Sequence, residues 1–488
     1  MSVVTPGRRI GQRELARLLG EWATPGQPAY AALASRVRLL VMDGRLPVGV
    51  RLPPERELAA ALGRSRTTAA AAYDLLRDSG YAASRQGSGT WTTLPGDAAE
   101  VPAWAPEPAP DGVVDLSHAA PSAPAELHAA YAAALDELPR YLPGTGYDYR
   151  GVPQLRERLA ARFTERGLAT TSDQVLITSG ALQAVRLALS MYVGAGDRVL
   201  VEQPGYPGGL DIVADLNARA VPVPVHDGWG GPESEGLVAA VRQTAPRAAY
   251  LIPDFQNPTG AVMSSEQRSV VAEALADGHT AAVIDESLVE LSLENAPLPM
   301  PFGTWATSEP VVTVGSASKL FWGGLRVGWL RSDTVTIRRL AAQRARLDLS
   351  SPILEQLAAA HLMDQLGAVR RQRATQLRER RDALASLLRQ RLPSWRFQLP
   401  AGGQVIWCEL PSPSSGALAA AVADHGLRIT PGSRFAADGT LESWVRLPYT
   451  RPVEDLTRAV DALAAAWSGL SGRPGGRREL TPDEAYVV

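Results

Sequence analysis

The sequence predicts an α/β chain in two parts: a small, mostly helical unit, then a large domain built on a mostly parallel sheet. Three observations predict it. From Val175 to Leu330, apolar runs of strand length alternate with helical patterns, the order that winds a parallel sheet. Residues 28–93 have another character, with two short helices, tight turns and a hairpin. Between the two lies TLPGDAAEVPAWAPEPAPD, Thr93 to Asp111, a Pro/Ala-rich stretch without apolar periodicity that behaves as a semi-extended spacer. The expected division is a frayed 1–27, a small unit 28–93, a linker 94–112, a large domain 113–469 and a frayed tail 470–488.

In the small unit, Ala29 to Met42 spaces its apolar residues as one helix, stopped by Asp43-Gly44. Arg51-Leu52-Pro53-Pro54 introduces a short helix from Glu55 to Leu62, with Leu58 and Leu62 on one face. Gly63 turns the chain, and Ser65-Arg66-Thr67-Thr68 opens a second helix whose Tyr73 and Leu76 face inward. Gly80-Tyr81 ends it, and Ser84 to Thr90 reads as a tight hairpin. Helix, turn, helix and hairpin make a winged helix-turn-helix. From Arg51 to Thr90 there are six arginines against four carboxylates, so charge alone does not indicate DNA. The string GRLPVGVRLPPERELAAALGRSRTTAAAAYDLLRDSGYAASRQGSGTW does, because it closely resembles the GntR family of bacterial transcription regulators. The resemblance implies that Ser65, Arg66, Thr67 and Thr68 enter the major groove and that Arg56 reaches backbone or base. Arg51 and Arg85 would lie on the same surface, and the wing around Gly87 would approach the minor groove. A helical protein-interaction module is the alternative reading of these residues.

In the large domain, Lys319 is the sole lysine among the 49 lysine and arginine residues. Arginine stays protonated and is a poor nucleophile, whereas a desolvated lysine can lose its proton and condense with an aldehyde. The β-branched run Val311 to Val314 reads as a buried strand, and the small-residue turn Gly315-Ser316-Ala317-Ser318 then delivers the lysine. Ser316, Ser318 and Arg326 are suitable donors for a phosphorylated aldehyde. Upstream, Thr178-Ser179-Gly180-Ala181 follows the strand Val175-Leu176-Ile177 and opens a helix, whose first amides can cradle a phosphate.

The lysine segment resembles that of fold-type I pyridoxal phosphate enzymes, the class I aminotransferase family, and further motifs appear in the family's order from about Val113 to Trp467. In Glu202-Gln203-Pro204-Gly205-Tyr206-Pro207, Tyr206 matches the ring that stacks on the pyridine. In Gln256-Asn257-Pro258-Thr259-Gly260, Asn257 would bond the phenolic oxygen. Asp285, at a strand end, would keep the pyridine nitrogen protonated. Arg446, in Trp444-Val445-Arg446-Leu447, would pair with a substrate or effector carboxylate from a smaller C-terminal α/β lobe. Tyr147, in Tyr141 to Gly151, matches the loop that reaches a partner subunit's phosphate, so a homodimer is implied. One position departs: the family's usual tyrosine three residues after the aspartate is Leu288 here, which puts efficient transamination in question.

A GntR-like reader joined to an aminotransferase-like domain resembles the MocR subfamily of bacterial regulators. The implied function is transcription regulation on an operator in double-stranded DNA, with pyridoxal phosphate or an amino compound as effector and slow or absent transaminase turnover. A working aminotransferase with an accessory DNA module, and a repressor whose large domain only dimerises, are the other readings. Six histidines without ligand spacing indicate no metal, and Cys408, the one cysteine, reads as a packed core thiol. No apolar run reaches the ~20 residues that span a bilayer. With a net charge of −2 and no signal-peptide core, a cytoplasmic protein is expected.

Overall fold

The computed structural model describes residues 9–20, 22–23, 28–43, 45–85, 89–93, 109–225, 234–294, 297–306, 309–412 and 414–471. The chain divides into two compact units, one grouping residues 1–113 with 416–426 and 463–488, the other built on 114–415 and 427–462.

The first unit runs through α1 (Gln12–Leu19), α2 (Ala29–Met42), α3 (Glu55–Ala61) and α4 (Arg66–Asp78) into the hairpin of β1 (Ala82–Arg85) and β2 (Gly89–Thr92). Leu33, Val37 and Leu40 of α2 close on Leu58 of α3 and on Ala72, Tyr73 and Leu76 of α4. The Tyr73 hydroxyl donates to the Pro53 carbonyl at 2.8 Å, fixing α4 against the segment that enters α3. Ser65 caps α4, its hydroxyl accepting from the Thr68 amide at 3.1 Å. For residues 12–19 of the stretch 1–27 expected to be frayed, helix α1 corrects that expectation. Leu15 and Leu19 stand one turn apart and are fully buried in the same core. A core this small needs the apolar surface they add.

The second unit opens with β3 (Val114–Asp115), α5 (Glu126–Glu137) and α6 (Pro153–Glu165). Its central sheet contains β4 (Val175–Thr178), β5 (Arg198–Gln203), β6 (Arg219–Pro224), β7 (Ala248–Leu251), β8 (Ala281–Asp285), β9 (Val311–Ser316) and β10 (Gly328–Arg331), in the order β4-β10-β9-β8-β7-β5-β6. Only β10 runs against its neighbours. Helices α7 (Ala181–Tyr192), α8 (Pro207–Asp215), α9 (Ser234–Thr244), α10 (Ser265–Asp277) and α11 (Thr334–Arg344) cover both faces. The strands' side-chain alternation divides the core. Val199, Val201, Val283 and Val314 pack with α7, α8 and α11, while Leu200, Ala282 and Ile284 pack with α9 and α10. Strands buried on both faces explain the near-continuous apolar runs in the sequence.

After α12 (Ile353–Asp364) and the long α13 (Leu366–Arg391) come β11 (Arg396–Phe397), β12 (Val405–Glu409), α14 (Ser415–Ala421), β13 (Leu427–Arg428), β14 (Thr430–Pro431), β15 (Trp444–Pro448) and α15 (Val453–Ser471). A smaller sheet has the order β11-β12-β15-β14, and β13 pairs in parallel with β3, Leu427 opposite Val114. Helix α15 continues to Ser471, past the expected end of order at residue 469. Of the expected linker, 94–108 lies outside the described residues. Cys408 is buried on β12, where desolvation pushes its thiol well above the usual range. Among the described residues no helix is long and apolar enough to cross a membrane, and no side-chain cluster could hold a metal ion.

Candidate functional site

The segments leaving the carboxyl ends of the parallel strands carry most of the residues singled out in the sequence. Ser179-Gly180-Ala181 follows β4, Tyr206 follows β5, Asn257 follows β7, Asp285 ends β8, and Lys319 lies just beyond β9. Ligands of open α/β sheets bind at this edge. Ala181, Tyr206, Asn257, Asp285, Ser316, Ser318, Lys319 and Arg326 line one cavity of about 130 Å³, together with Ala119, Leu288 and Gln404.

Burial pushes the Lys319 amine down to about 8, and Arg446 and Arg326 push the same way while Asp285 opposes them. At neutral pH about a tenth of the amine is therefore unprotonated, far more than for an ordinary lysine. Nζ donates to the Ala119 carbonyl at 3.1 Å, and Gln404 Nε2 donates to the lysine's own carbonyl at 3.1 Å. Asp285 is buried, which raises its carboxyl above the usual range against the hydrogen bonds that favour its anion. Its Oδ2 accepts from the Tyr250 hydroxyl and its Oδ1 from the Ser287 amide, both at 2.9 Å.

At the other end of the cavity, Arg326 takes a left-handed backbone conformation, φ 51°, and its guanidinium donates to the Ser179 carbonyl at 3.1 Å. Gly180 makes that approach possible. A Cβ there would fall 2.6 Å from Arg326 Nη2, and the residue's own φ of 98° strains any other side chain. Ser179 itself is engaged elsewhere: its amide donates to Gln183 Oε1 at 2.6 Å and its hydroxyl lies 3.1 Å from Ser351 Oγ. The first-turn amides of Gly180 and Ala181 are better placed for an anion than Ser179.

Arg446 sits on β15, buried, with Phe435 beneath its guanidinium at 5.0 Å. Burial pushes it down to about 10. It donates to Asn257 Oδ1 at 3.4 Å and to the Ser117 carbonyl, and its buried Nε has no partner. Tyr147 is 57% exposed and does not line the cavity.

In the first unit, Ser65, Arg66 and Thr67 lie exposed at the start of α4, and Arg56 is exposed on α3. The side chain of Arg66 is 75% exposed and reaches Glu55 at 3.7 Å. The Ser65 hydroxyl is shared with Thr67 and Thr68 at 2.7 and 2.8 Å. Arg51 lies along the hairpin, 5.9 Å from the centre of the Trp91 ring. Arg85 ends β1, but its side chain and all of Gly87 lie outside the described residues.

Residues 125–463 match the family model for aminotransferase class I and II. The chain belongs to that family. Residues 29–91 match the model for bacterial regulatory proteins of the gntR family, so this aminotransferase-family chain carries a gntR-type module in front. It is 30% identical to a 2-aminoadipate transaminase of Thermus thermophilus, over 63% of this chain and 79% of that one. It is 26% identical to the uncharacterized HTH-type transcriptional regulator YdfD of Bacillus subtilis, over 91% of this chain and 98% of that one. A probable rhizopine catabolism regulatory protein, MocR of Rhizobium meliloti, is 29% identical over 62% of this chain and 65% of its own length. Among solved structures, the LysN α-aminoadipate aminotransferase of Thermus thermophilus, complexed with N-(5'-phosphopyridoxyl)-L-leucine, superposes with a TM-score of 0.68 at 27% identity. That match covers 74% of this chain and 94% of that one.

The cavity's chemistry fits the family's cofactor. Ser318 Oγ is buried in its wall without a hydrogen-bond partner, beside Arg326 and the start of α7, as a phosphate site requires. A depressed amine, a buried carboxylate and an aromatic ring complete the donor set an aldehyde on a pyridine ring needs. The sequence did not single out Tyr250, Gln404, Phe435 or the carbonyls of Ser117 and Ala119. Nothing marks the carbonyls, and Tyr250 inside a strand reads as an ordinary core aromatic.

Proposed function

We propose that this protein is a pyridoxal phosphate-dependent transcription regulator of the MocR type: the winged helix holds operator DNA, and the aminotransferase-type cavity senses the cofactor and an amino-compound effector. The observation that carries the regulatory half is the first turn of α4. Ser65, Arg66 and Thr67 are exposed there while Ala69, Ala72, Tyr73 and Leu76 of the same helix are buried, which holds the helix in place and leaves its first turn free to read base edges. When bound, pyridoxal phosphate supplies an electrophilic aldehyde and an electron-withdrawing ring.

The protein's own residues do the rest. Gly180, Ala181, Ser318 and Arg326 hold the phosphate. Lys319 supplies the amine, depressed enough to attack at neutral pH, and can afterwards carry a proton. Asp285, steadied by Tyr250 and Ser287, holds a proton at the ring nitrogen. Arg446 orients a carboxylate. Leu288, buried in the cavity wall where the family usually has a tyrosine, brings no hydroxyl, so Asn257 serves the phenolic oxygen without that helper. We infer slow turnover, with the effector acting through conformation. We also infer a homodimer acting in the cytoplasm, since Leu142, Tyr147 and Tyr149 stand exposed on the loop that would meet a second subunit.

The test is a screen of amines and amino acids for a visible spectral shift, followed by operator affinity and keto-acid release with each hit. The expected hit shifts DNA affinity with little keto acid. Turnover at ~1–1000 per second with DNA affinity unchanged would favour the aminotransferase reading instead.

A further inference from the structure

The segment that follows β3 crosses the cavity and satisfies, with main-chain carbonyls, the two cationic groups a ligand must use. The Ser117 carbonyl accepts from Arg446, and the Ala119 carbonyl accepts from Lys319 Nζ at 3.1 Å. Both ends of the segment are pinned. Upstream, Val114 and Asp115 pair with Leu427 and Arg428, and Asp115 Oδ1 accepts from the Ser117 amide at 2.8 Å. Downstream, buried Arg373 donates to the Ser122 carbonyl at 2.9 Å and to the Leu320 and Phe321 carbonyls at 3.2 Å, just beyond Lys319. Between the pins, beside the Arg446 contact, one further side-chain bond holds the Ser117 carbonyl, from Thr430 Oγ1 at 3.3 Å.

We propose that residues 116–122 form a strap that a carboxylate-bearing ligand displaces from Arg446, making this segment the moving part through which the site reports occupancy. The competition is uneven. A carboxylate offers the guanidinium two charged acceptors in one plane, where Ser117 offers a single neutral one, and charge-assisted bonds are about twice as strong. The buried Arg446 Nε, which the strap leaves unserved, gives the incoming carboxylate a second bond. Engagement of Lys319 by the cofactor removes the strap's other tether at Ala119. The strap begins directly after β3, which separates it from the linker between the two modules, so its release reaches the linker through β3 and the pairing of β3 with β13. That last consequence rests on the regulatory reading above; the displacement itself does not.

Hydrogen exchange on the full-length protein loaded with pyridoxal phosphate tests it, with maleate as the probe because it carries carboxylates and no amine. Maleate is expected to raise exchange at the 118–120 amides about tenfold, the mark of a released segment, while the pinned amides of Leu116 and Ser117 stay protected. Arg446→Gln should show the raised exchange without maleate and no further response, while its Lys319-linked absorbance shows the cavity is intact. Unchanged exchange in that variant, or in the wild type once a spectral shift shows maleate bound, overturns the strap. DNA affinity measured on the same samples separates the two ideas. Released strap with unchanged DNA binding overturns the regulatory reading alone, and a DNA response with a silent strap overturns the strap alone.

Discussion

The start of α4 and the cofactor cavity use the same residue types, arginine and small hydroxyl residues, under opposite conditions. Arg66 is three-quarters exposed, with one loose contact to Glu55, and Ser65, Thr67 and Thr68 bond mainly among themselves. Arg446 is buried over Phe435, with its charge disfavoured, and Ser318 keeps a hydroxyl without a partner. Exposed donors cost little to maintain because water satisfies them, so they say little about their partner. Buried donors without partners cost stability, and their arrangement points to the shape and charge of what completes them.

The largest effect expected from breaking this contrast is at the cavity. Lys319→Ala should abolish the visible band of the cofactor-loaded protein and its fixation to the chain by borohydride, because no other side-chain amine exists. Absorbance and peptide mapping read both, and a surviving lysine-type band would sink the assignment. Next comes Arg66→Ala, expected to relax base discrimination by about 1–3 kcal/mol in competition binding across operator variants. A uniform loss on all sequences, with a shallower salt slope, would make Arg66 a phosphate contact instead.

Glu202 sharpens the buried side. Burial on β5 pushes its carboxyl up to about 8, with Asp285 adding to the shift and bonds from Gln256 and Ile252 opposing it. A folded pKa above the unfolded one means that the group's stabilisation is complete below about 4.5 and is lost as pH rises toward 8. Glu202→Gln should remove that loss, so its melting temperature should gain on the wild type between pH 5 and 8, by about 1–3 kcal/mol in stability. Parallel melting curves at both pH values would contradict this. The smallest effect is a shift in midpoint. The rate of cofactor uptake by apoprotein should rise with pH around 8 as Lys319 deprotonates. Arg446→Gln should move that midpoint up by removing a like charge, and Asp285→Asn should move it down, each by about one unit or less.

What the sequence disclosed, and what it hid, follows from the kind of atom involved. Asp285 and Lys319 were legible because a carboxylate at a strand end and a solitary amine after a small-residue turn carry distinctive side-chain chemistry. Helix α4 was legible from its cap and from the spacing of Tyr73 and Leu76. Helix α1 was overlooked because only Leu15 and Leu19 anchor it, too few to establish a period. The Ser179 motif signalled amides at a helix start, but not that Gln183 would take one of them. Ser117 and Ala119 act through carbonyls every residue possesses, so only the course of the backbone reveals them.

Lys319 has one more use. A protease that cuts after lysine finds a single target bond in all 488 residues, and that bond's carbonyl is the one Gln404 holds inside the cavity. Cleavage has to wait until this stretch swings clear of the cavity. Digestion by such an enzyme is therefore a label-free clock for the opening of the site, and two fragments on a gel would record how firmly a bound small molecule keeps it shut.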